Sequence, residues 1–225
     1  MTNDEFKKLI TEGIDRTPWD LGNAVIYKLC QEYPGHKTDE EILAKIWIIG
    51  RSYAAAIERR RINNHINDDF YTHIVAPGIR NSSIDQRLNG LLVDGSFNNI
   101  LTTHYWLTQL FRDMTGMDKR SLASKYLHFH FPDLFHIYDQ RASSTLNKLI
   151  TGQVIKFFKI NKKEMMAPGD ELGKLKPARF DKEYSKFFLQ AKAVVEKMKK
   201  DYDIELTPRK LDNLLIELAN GSLRN

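Results

Sequence analysis

The segment from Thr115 to Arg141 constrains the fold most, because it joins a turn, a short helix and an apolar run that ends in an acid. Gly116 supplies the positive φ that a tight hairpin needs. From Ala123 to His130, side chains at i, i+3, i+4 and i+7 follow one face of a helix. Pro132 disfavours helical geometry at Phe131, so we expect the helix to end there.

The apolar run from Leu134 to Tyr138 delivers one acid, Asp139, to the start of the next predicted helix. An aspartate at this place is a favoured helix N-cap. A carboxylate there is also a candidate catalytic group, and one residue can serve both roles. At the other end of the segment, Asp118 or Ser121 is expected to cap the helix that follows the hairpin.

The composition indicates a folded chain with one substantial core. The 225 residues are 42% apolar and 28% charged, which is ordinary for a globular protein, and we expect a single all-helical unit over residues 1–225, with two helical subdomains and a cleft as an alternative. The net charge is +5 and the sequence pI is about 9.1. This excess fits nucleic-acid binding and equally fits a basic protein without a polyanionic partner.

Cys30 is the only cysteine, so no intramolecular disulfide, no cysteine-based zinc site and no iron–sulfur cluster can form. This usage is typical of a reducing compartment, and we expect a cytoplasmic location. The polar N-terminus lacks the apolar region of a secretory signal. No apolar run approaches the length of a membrane span.

The whole sequence predicts an all-α fold. Thr17-Pro18 and Thr207-Pro208 are helix start signals with proline at the first helical position, and Thr38 with Glu41 forms a capping box. A loop is predicted over Lys159–Phe180, which holds two prolines and two glycines. Besides the helix of the opening segment, the predicted helices are Asp4–Ile14, Pro18–Tyr33, Thr38–Arg61, Asp68–His73 with a break at Pro77-Gly78, Ser82–Leu92, Ser96–Met114, Arg141–Phe158 with a break at Gly152 as an alternative, Lys182–Tyr202 and one from Pro208 to about Gly221.

Two short stretches, Gly116–Ala123 and Ile137–Arg141, give the chain a resemblance to the helix–hairpin–helix DNA glycosylase superfamily. The resemblance implies an all-α fold in which a hairpin binds the backbone of double-stranded DNA. It also implies that Asp139, at the start of the following helix, is the essential catalytic carboxylate. The motif departs from the family pattern, because Asp118 stands where a second hairpin glycine would fall.

The resemblance further implies a monofunctional enzyme, which removes a base and leaves an abasic site. Family members with lyase activity carry a lysine about 18 or 19 residues before the aspartate, where it forms a Schiff base. Those positions hold Ser121 and Arg120 here. The block Tyr126–Pro132 is also similar to a segment of small bacterial proteins, some of them associated with anti-phage systems.

The expected chemistry needs one carboxylate and no cofactor or metal. Cleavage of an N-glycosidic bond passes through an oxocarbenium-like sugar, which a nearby anion stabilises while it orients water. The target base must first be flipped into a pocket with aromatic walls. The expected DNA-binding residues are Gly116, Lys119, Arg120, Ser121 and Lys125, and the expected base-pocket residues are Tyr126, His136 and Tyr138.

Each of these residues also has a structural interpretation. The structural interpretation of Lys119 and Arg120 is an ordinary solvated turn, and His130 fits a hydrogen-bonded core histidine better than a ligand. Arg59–Arg61 would end a helix and complement its dipole, or else bind phosphate. Three tryptophans fall on apolar faces and are expected in the core: Trp19, Trp47 and Trp106.

Three function classes therefore stay open: a glycosylase, a non-catalytic DNA-binding or defence-associated protein on the same scaffold, and, ranked last, a metal-dependent nuclease. The first two make opposite predictions about Asp139. An enzyme requires that Asp139 open its helix at the edge of a cleft that can hold a base. A binding module requires only that Asp139 cap its helix, with no adjacent cavity.

Overall fold

The computed structural model describes residues 2–14, 17–61, 67–161, 164 and 179–220, and every regular element within these ranges is helical. Two π-helical turns, Leu9–Gly13 and Tyr71–Val75, extend or join α-helices. The α-helices are α1 Asn3–Lys8, α2 Pro18–Glu32, α3 Asp39–Ser52, α4 Asn67–Phe70, α5 Ala76–Arg80, α6 Ile84–Val93, α7 Phe97–Thr115, α8 Arg120–His130, α9 Gln140–Ile150, α10 Lys182–Tyr202 and α11 Pro208–Asn220.

Helix α8 is the centre of the packing, because it contacts α2, α3 and α7. Its residues Leu122 to Phe129 are all buried, which is unusual for an 11-residue helix with two lysines or arginines and two histidines inside it. Helix α9 packs against α10 and α11 on the other side of the Asp139 segment. Within the described residues, no helix combines the length and apolarity that crossing a bilayer requires.

The predicted helix starts are confirmed where their side chains can be followed. At the start of α2, the Asp20 carboxylate accepts hydrogen bonds of 2.8 Å from both the amide and the hydroxyl of Thr17. At the start of α3, the Thr38 hydroxyl accepts from the Glu41 amide at 3.3 Å. These bonds satisfy amide groups that have no partner inside the helix.

Helix α3 ends at Ser52, nine residues before the predicted end at Arg61. Ala54 adopts a left-handed φ of 52°, and the chain turns back so that Ala56 and Ile57 are buried. Tertiary burial therefore overrides the helical propensity of this stretch. Arg59–Arg61 lie on an irregular loop, so the prediction that they end a helix and complement its dipole was wrong.

Three further predictions need correction. The chain continues as helix through Pro77-Gly78, because the preceding π-turn puts Pro77 in the first turn of α5, where its missing amide costs little. Trp19 and Trp47 are 70% and 47% exposed and do not belong to the core. Helix α9 ends at Ile150, just before the left-handed Gly152, and does not extend to Phe158.

The predicted loop at Lys159–Phe180 lies mostly outside the described residues.

Candidate active site

The hairpin between α7 and α8 is a four-residue turn over residues 116–119. Gly116 has φ 68°, as the sequence predicts, and its amide donates to the Arg112 carbonyl at 2.7 Å. The predicted caps of α8 are not used. Asp118 pairs with Arg112 at 3.4 Å, and the Ser121 hydroxyl accepts from Lys125 at 2.6 Å, so α8 begins at Arg120 without a side-chain cap.

Asp139 is the N-cap of α9. Its Oδ1 accepts a 2.7 Å hydrogen bond from the Ala142 amide, while its Oδ2 lies 3.7 Å from the Lys125 ammonium nitrogen. The side chain remains 43% exposed, so the carboxylate is held at two points and still open to solvent. This geometry satisfies the helix end and leaves a carboxylate oxygen available for chemistry.

Lys125 is the buried partner of that carboxylate. Its side chain is 1% exposed, and its ammonium donates to Ser121 Oγ at 2.6 Å and to the Tyr138 carbonyl at 3.2 Å. Burial lowers the pKa of Lys125, and the charge of Asp139 opposes that shift. Lys125 therefore holds the Asp139 segment in place from the protein interior, and its ammonium does not project towards a ligand.

A second ion pair lies behind this one, on the first turn of α11. Arg209 donates from Nη1 to Asp212 Oδ2 at 2.6 Å and from Nε to Asp20 Oδ1 at 2.7 Å. The pKa of Asp212 is raised to about 6, mainly by burial and to a lesser extent by the charge of Asp139, while the charges of Arg209 and Lys125 oppose the shift. We call Asp20, Lys125, Asp139, Arg209 and Asp212 the carboxylate cluster.

Tyr53 joins the two halves of the carboxylate cluster. Its ring centroid lies 5.6 Å from the Lys125 ammonium, and its hydroxyl donates to Asn23 Oδ1 at 2.9 Å and lies 3.5 Å from Arg209 Nη1. Arg209 Nη2 is buried and has no hydrogen-bond partner among the described residues.

Two clefts flank α9 directly after Asp139. One has a volume of about 1010 Å³ and runs between α9 and α11, and the other measures about 330 Å³. Both are lined by Gln140, the residue that follows Asp139, and by Lys148 farther along α9. These volumes reach the range typical of small-molecule pockets. Tyr138 lines the smaller cleft and is the one predicted base-pocket residue that borders either cleft of the described structure.

The other two predicted pocket residues lie in the interior. The Tyr126 side chain is fully buried, and its hydroxyl lies 2.6 Å from His36 Nε2. His136 is buried against Phe188, and neither ring nitrogen has a partner among the described residues. Neither side chain lines the clefts beside α9.

The basic residues predicted to contact DNA are bonded within the protein. Lys119 is only 9% exposed and donates from its ammonium to the carbonyl oxygens of Ala56, at 3.0 Å, and Arg59. Arg120 Nε donates to Asp181 Oδ1 at 2.6 Å. Lys125 is covered as described above. The three cations therefore organise the hairpin, and their assignment as direct phosphate contacts has no geometric support.

Tyr126 belongs to a second polar group on a different face of α8, which we call the histidine cluster: His36, Lys45, Asp85, Tyr126 and His130. His36 Nδ1 lies 2.6 Å from Asp85 Oδ1, and the buried Lys45 ammonium donates to the Tyr33 and Gly35 carbonyls at 2.8 and 2.6 Å. Burial lowers the pKa of His36 to about 4 and that of Lys45 to about 8. Contrary to expectation, His130 Nε2 has no hydrogen-bond partner in the described structure.

Sequence reasoning missed Asp20, Arg209 and Asp212 as members of the site. A signal was present, because Thr17-Pro18 and Thr207-Pro208 are matching start signals that put Asp20 and Arg209 in the first turns of their helices. Opposite charges in the first turns of two helices are expected to meet if the two helix ends are neighbours. Nothing in the sequence alone shows that these ends are adjacent.

Among the described residues, no group of three or more histidine, cysteine, aspartate or glutamate side chains could hold a metal ion. The chain matches no protein-family model. No curated protein matches it, and no solved structure does either. The functional argument therefore depends on the geometry of the site.

Proposed function

We propose that this protein is a monofunctional DNA N-glycosylase that hydrolyses the bond between a damaged or modified base and its sugar. The observation that carries the proposal is the position of Asp139. Its carboxylate is fixed by the Ala142 amide and faces the Lys125 ammonium, yet it remains 43% exposed one residue before the wall of two clefts.

The proposed mechanism assigns Asp139 to the sugar. As the N-glycosidic bond lengthens, positive charge develops at the anomeric carbon, and a fixed carboxylate stabilises it without having to reorganise. The same oxygen accepts a hydrogen bond from the attacking water and orients it. The bonds to Ala142 and Lys125 restrict the carboxylate to one orientation, which this electrostatic effect requires.

The smaller cleft supplies a place for an extrahelical base. Its lining residues include Tyr138, Gln140, Ser143 and Asn147. The Tyr138 side chain is buried, and its ring packs against Phe187 with the centroids 5.2 Å apart, so we expect the polar side chains of the cleft to contact the base. Polar groups of this kind read the hydrogen-bonding edge of a flipped base. Both damaged host DNA and modified foreign DNA would present a base of this kind.

The charge distribution supports a DNA partner. The segment from Arg141 to Tyr202 holds fifteen lysines and arginines but only seven aspartates and glutamates, whereas the whole chain has a net charge of only +5. Both α9, which lines the clefts, and α10, which packs on it, lie in this segment. A local positive excess next to the clefts favours binding of a polyanion.

The testing experiment is an abasic-site assay with alkali cleavage as the readout, on duplexes that carry a panel of damaged and modified bases and on modified phage DNA. Asp139→Asn is the diagnostic variant, because asparagine caps a helix as well as aspartate does. We expect it to reduce base release by roughly 10²–10⁴-fold with unchanged duplex affinity. Asp94→Asn is the matched control, because Asp94 is exposed and accepts a 2.9 Å hydrogen bond from the Ser96 amide, and it should retain activity.

The alternative is a non-catalytic DNA-binding protein on the same scaffold, and one observation favours it: Asp139 makes a complete N-cap bond, as a purely structural residue would. This reading predicts no base release from any substrate while binding is retained. Equal activity of wild type and Asp139→Asn would also remove Asp139 from the chemistry.

The monofunctional assignment has its own test, because a lyase forms a Schiff base that borohydride traps. Ser121 and Arg120 occupy the positions of the family lysine, and Lys125 is covered. We therefore expect no covalent protein–DNA adduct. An adduct that disappears in Lys125→Met would instead identify Lys125 as a nucleophile.

A further inference from the structure

The loop from Tyr53 to Arg61, which we call the arginine loop, is fastened to the hairpin by three hydrogen bonds. The Lys119 ammonium donates to the carbonyl oxygens of Ala56 and Arg59, and the Arg61 amide donates to the Thr115 carbonyl at 2.8 Å. Residues almost 60 positions apart are thereby joined into one surface. Lys119 is nine-tenths buried, so its charge serves the attachment and is not presented to solvent.

The arginine loop carries an exposed positive charge next to the hairpin. Arg59 and Arg61 are both exposed, and within the described ranges the side chain of Arg59 makes one hydrogen bond, 3.3 Å long, to the Ala54 carbonyl. The Arg60 guanidinium lies over the Phe70 ring, 4.1 Å from its centroid, which anchors the middle of the loop. The two flanking guanidinium groups are therefore presented on a loop whose backbone is fixed from both sides.

Two acidic groups of this region, Glu58 and Asp118, are paired with arginines. Glu58 pairs with Arg51 at 2.9 Å and accepts from the Tyr71 hydroxyl at 2.5 Å, and Asp118 pairs with Arg112 at 3.4 Å. The start of α8, which has no side-chain cap, adds the positive end of a helix dipole to the same area. The exposed arginines therefore add positive charge to a surface on which these two carboxylates are already paired.

We propose that Arg59 and Arg61, positioned beside the hairpin by Lys119, form a surface that binds the phosphates of double-stranded DNA. Guanidinium groups bind phosphate oxygens through paired, charge-assisted hydrogen bonds, and a pre-ordered loop loses little entropy on binding. The choice of duplex DNA as the polyanion rests on the proposed function. The surface itself does not depend on any catalytic step.

The test measures the affinity of the full chain for an undamaged fluorescent DNA duplex over a range of salt concentrations. Arg59→Gln combined with Arg61→Gln should weaken binding roughly tenfold and reduce the slope of log K against log salt by about 2, because two phosphate contacts are lost. Unchanged affinity and slope would overturn the proposal. Because the duplex contains no lesion, this result is independent of whether the protein releases a base.

The matched control is Lys28→Gln with Lys37→Gln, which removes the same charge at two exposed lysines outside both the clefts beside α9 and the arginine loop. Lys37 lies just before α3 and the arginine loop follows it, so at 1.5 Å per residue roughly 20 Å of helix separates them. The control should leave the salt slope within error of wild type. An equal loss in both double variants would mean that binding follows net charge and would refute a specific surface.

A third variant tests the positioning role of Lys119. Lys119→Met removes the attachment without removing an exposed charge, so we expect weaker DNA binding with Arg59 and Arg61 both present. Thermal unfolding identifies the fraction that is folded at the assay temperature. A folded Lys119→Met protein with wild-type affinity would show that the loop does not need the hairpin to bind DNA.

Discussion

Helix α8 carries two buried polar clusters on different faces, and their comparison shows which perturbed residues point to function. Tyr126 belongs to the histidine cluster and the adjacent Lys125 to the carboxylate cluster, because successive helical residues point about 100° apart. Both clusters contain a buried lysine and groups with shifted pKa values. Shifted pKa values alone therefore do not distinguish the two.

Access to solvent distinguishes them. In the histidine cluster, Lys45 binds two carbonyls at the end of α2, and His36 bridges Asp85 and Tyr126, so these groups join secondary-structure elements. In the carboxylate cluster, the Asp139 side chain is 43% exposed and directly precedes Gln140, which lines both clefts. We infer that the first cluster holds the fold together and the second is available for chemistry.

Acid should destabilise the protein more than any single substitution. Burial lowers the pKa of five histidines: His36, His104, His128, His130 and His136. Their folded pKa values lie below the unfolded value, so the unfolded state binds more protons below about pH 6.5 and stability falls as the pH falls towards 4. The free energy of unfolding should drop by up to about 1.4 kcal/mol per pH unit for each histidine.

Urea unfolding between pH 7.5 and 4.5 measures this loss. The exposed His73 provides the control, since His73→Gln should leave the pH dependence unchanged. A flat profile would mean that the buried histidines take up protons in the folded state, and it would remove the histidine cluster from its structural role.

The two buried lysines should differ in their contribution to stability. Lys45→Met leaves the Tyr33 and Gly35 carbonyls without a donor in the interior, at a cost of about 2–3 kcal/mol. Lys125→Met should cost less, about 1–2 kcal/mol, because Asp139 can be hydrated in its place. Chemical denaturation of both variants checks the order, and a larger loss for Lys125 would reverse the assignment of the two clusters.

Asp212→Asn should change the pH dependence of stability. The folded pKa of about 6 lies above the unfolded value, so ionisation of Asp212 destabilises the folded protein as the pH rises through about 4 to 6. Asparagine cannot ionise, so the variant should gain about 1–3 kcal/mol relative to wild type between pH 4.5 and 7.5. A constant difference over this range would show that Asp212 is ionised throughout.

The smallest expected effect separates the two roles of Asp139. Asp139→Ala should lower the free energy of unfolding by about 1 kcal/mol through loss of the Ala142 bond, whereas Asp139→Asn should change it by only a few tenths. Calorimetric melting of both variants measures the difference. If asparagine destabilises as much as alanine, the charge of Asp139 and not its capping bond supports the fold.

The sequence predicted the local parts of this molecule and missed the tertiary ones. Thr17-Pro18, Thr38 and Pro132 act on their own backbone, and the helix boundaries that they predict are confirmed. The end of α3 was wrong because burial of Ala56 and Ile57 depends on distant helices. The pairing of Arg209 with Asp20 joins residues 189 positions apart, and no local pattern encodes it.

For the site, the sequence identified Asp139 and the left-handed Gly116, since each depends on local geometry. It could not show that Lys119, Arg120 and Lys125 would bind protein groups. Their partners are the Ala56 carbonyl, the Asp181 carboxylate and the Tyr138 carbonyl, and only the folded structure brings these groups together with the three cations. A lysine next to a hairpin looks the same in a sequence whether it faces DNA or a carbonyl oxygen.

The attachment of the arginine loop has a consequence for local unfolding. The Arg61 amide proton is bonded to Thr115, at the end of α7, so it exchanges with solvent only when the loop separates from the hairpin. Its exchange rate therefore reports the opening of a unit built from two distant parts of the chain. Residues 53–61 and 115–119 should open together, and a duplex bound across them should slow the exchange of both.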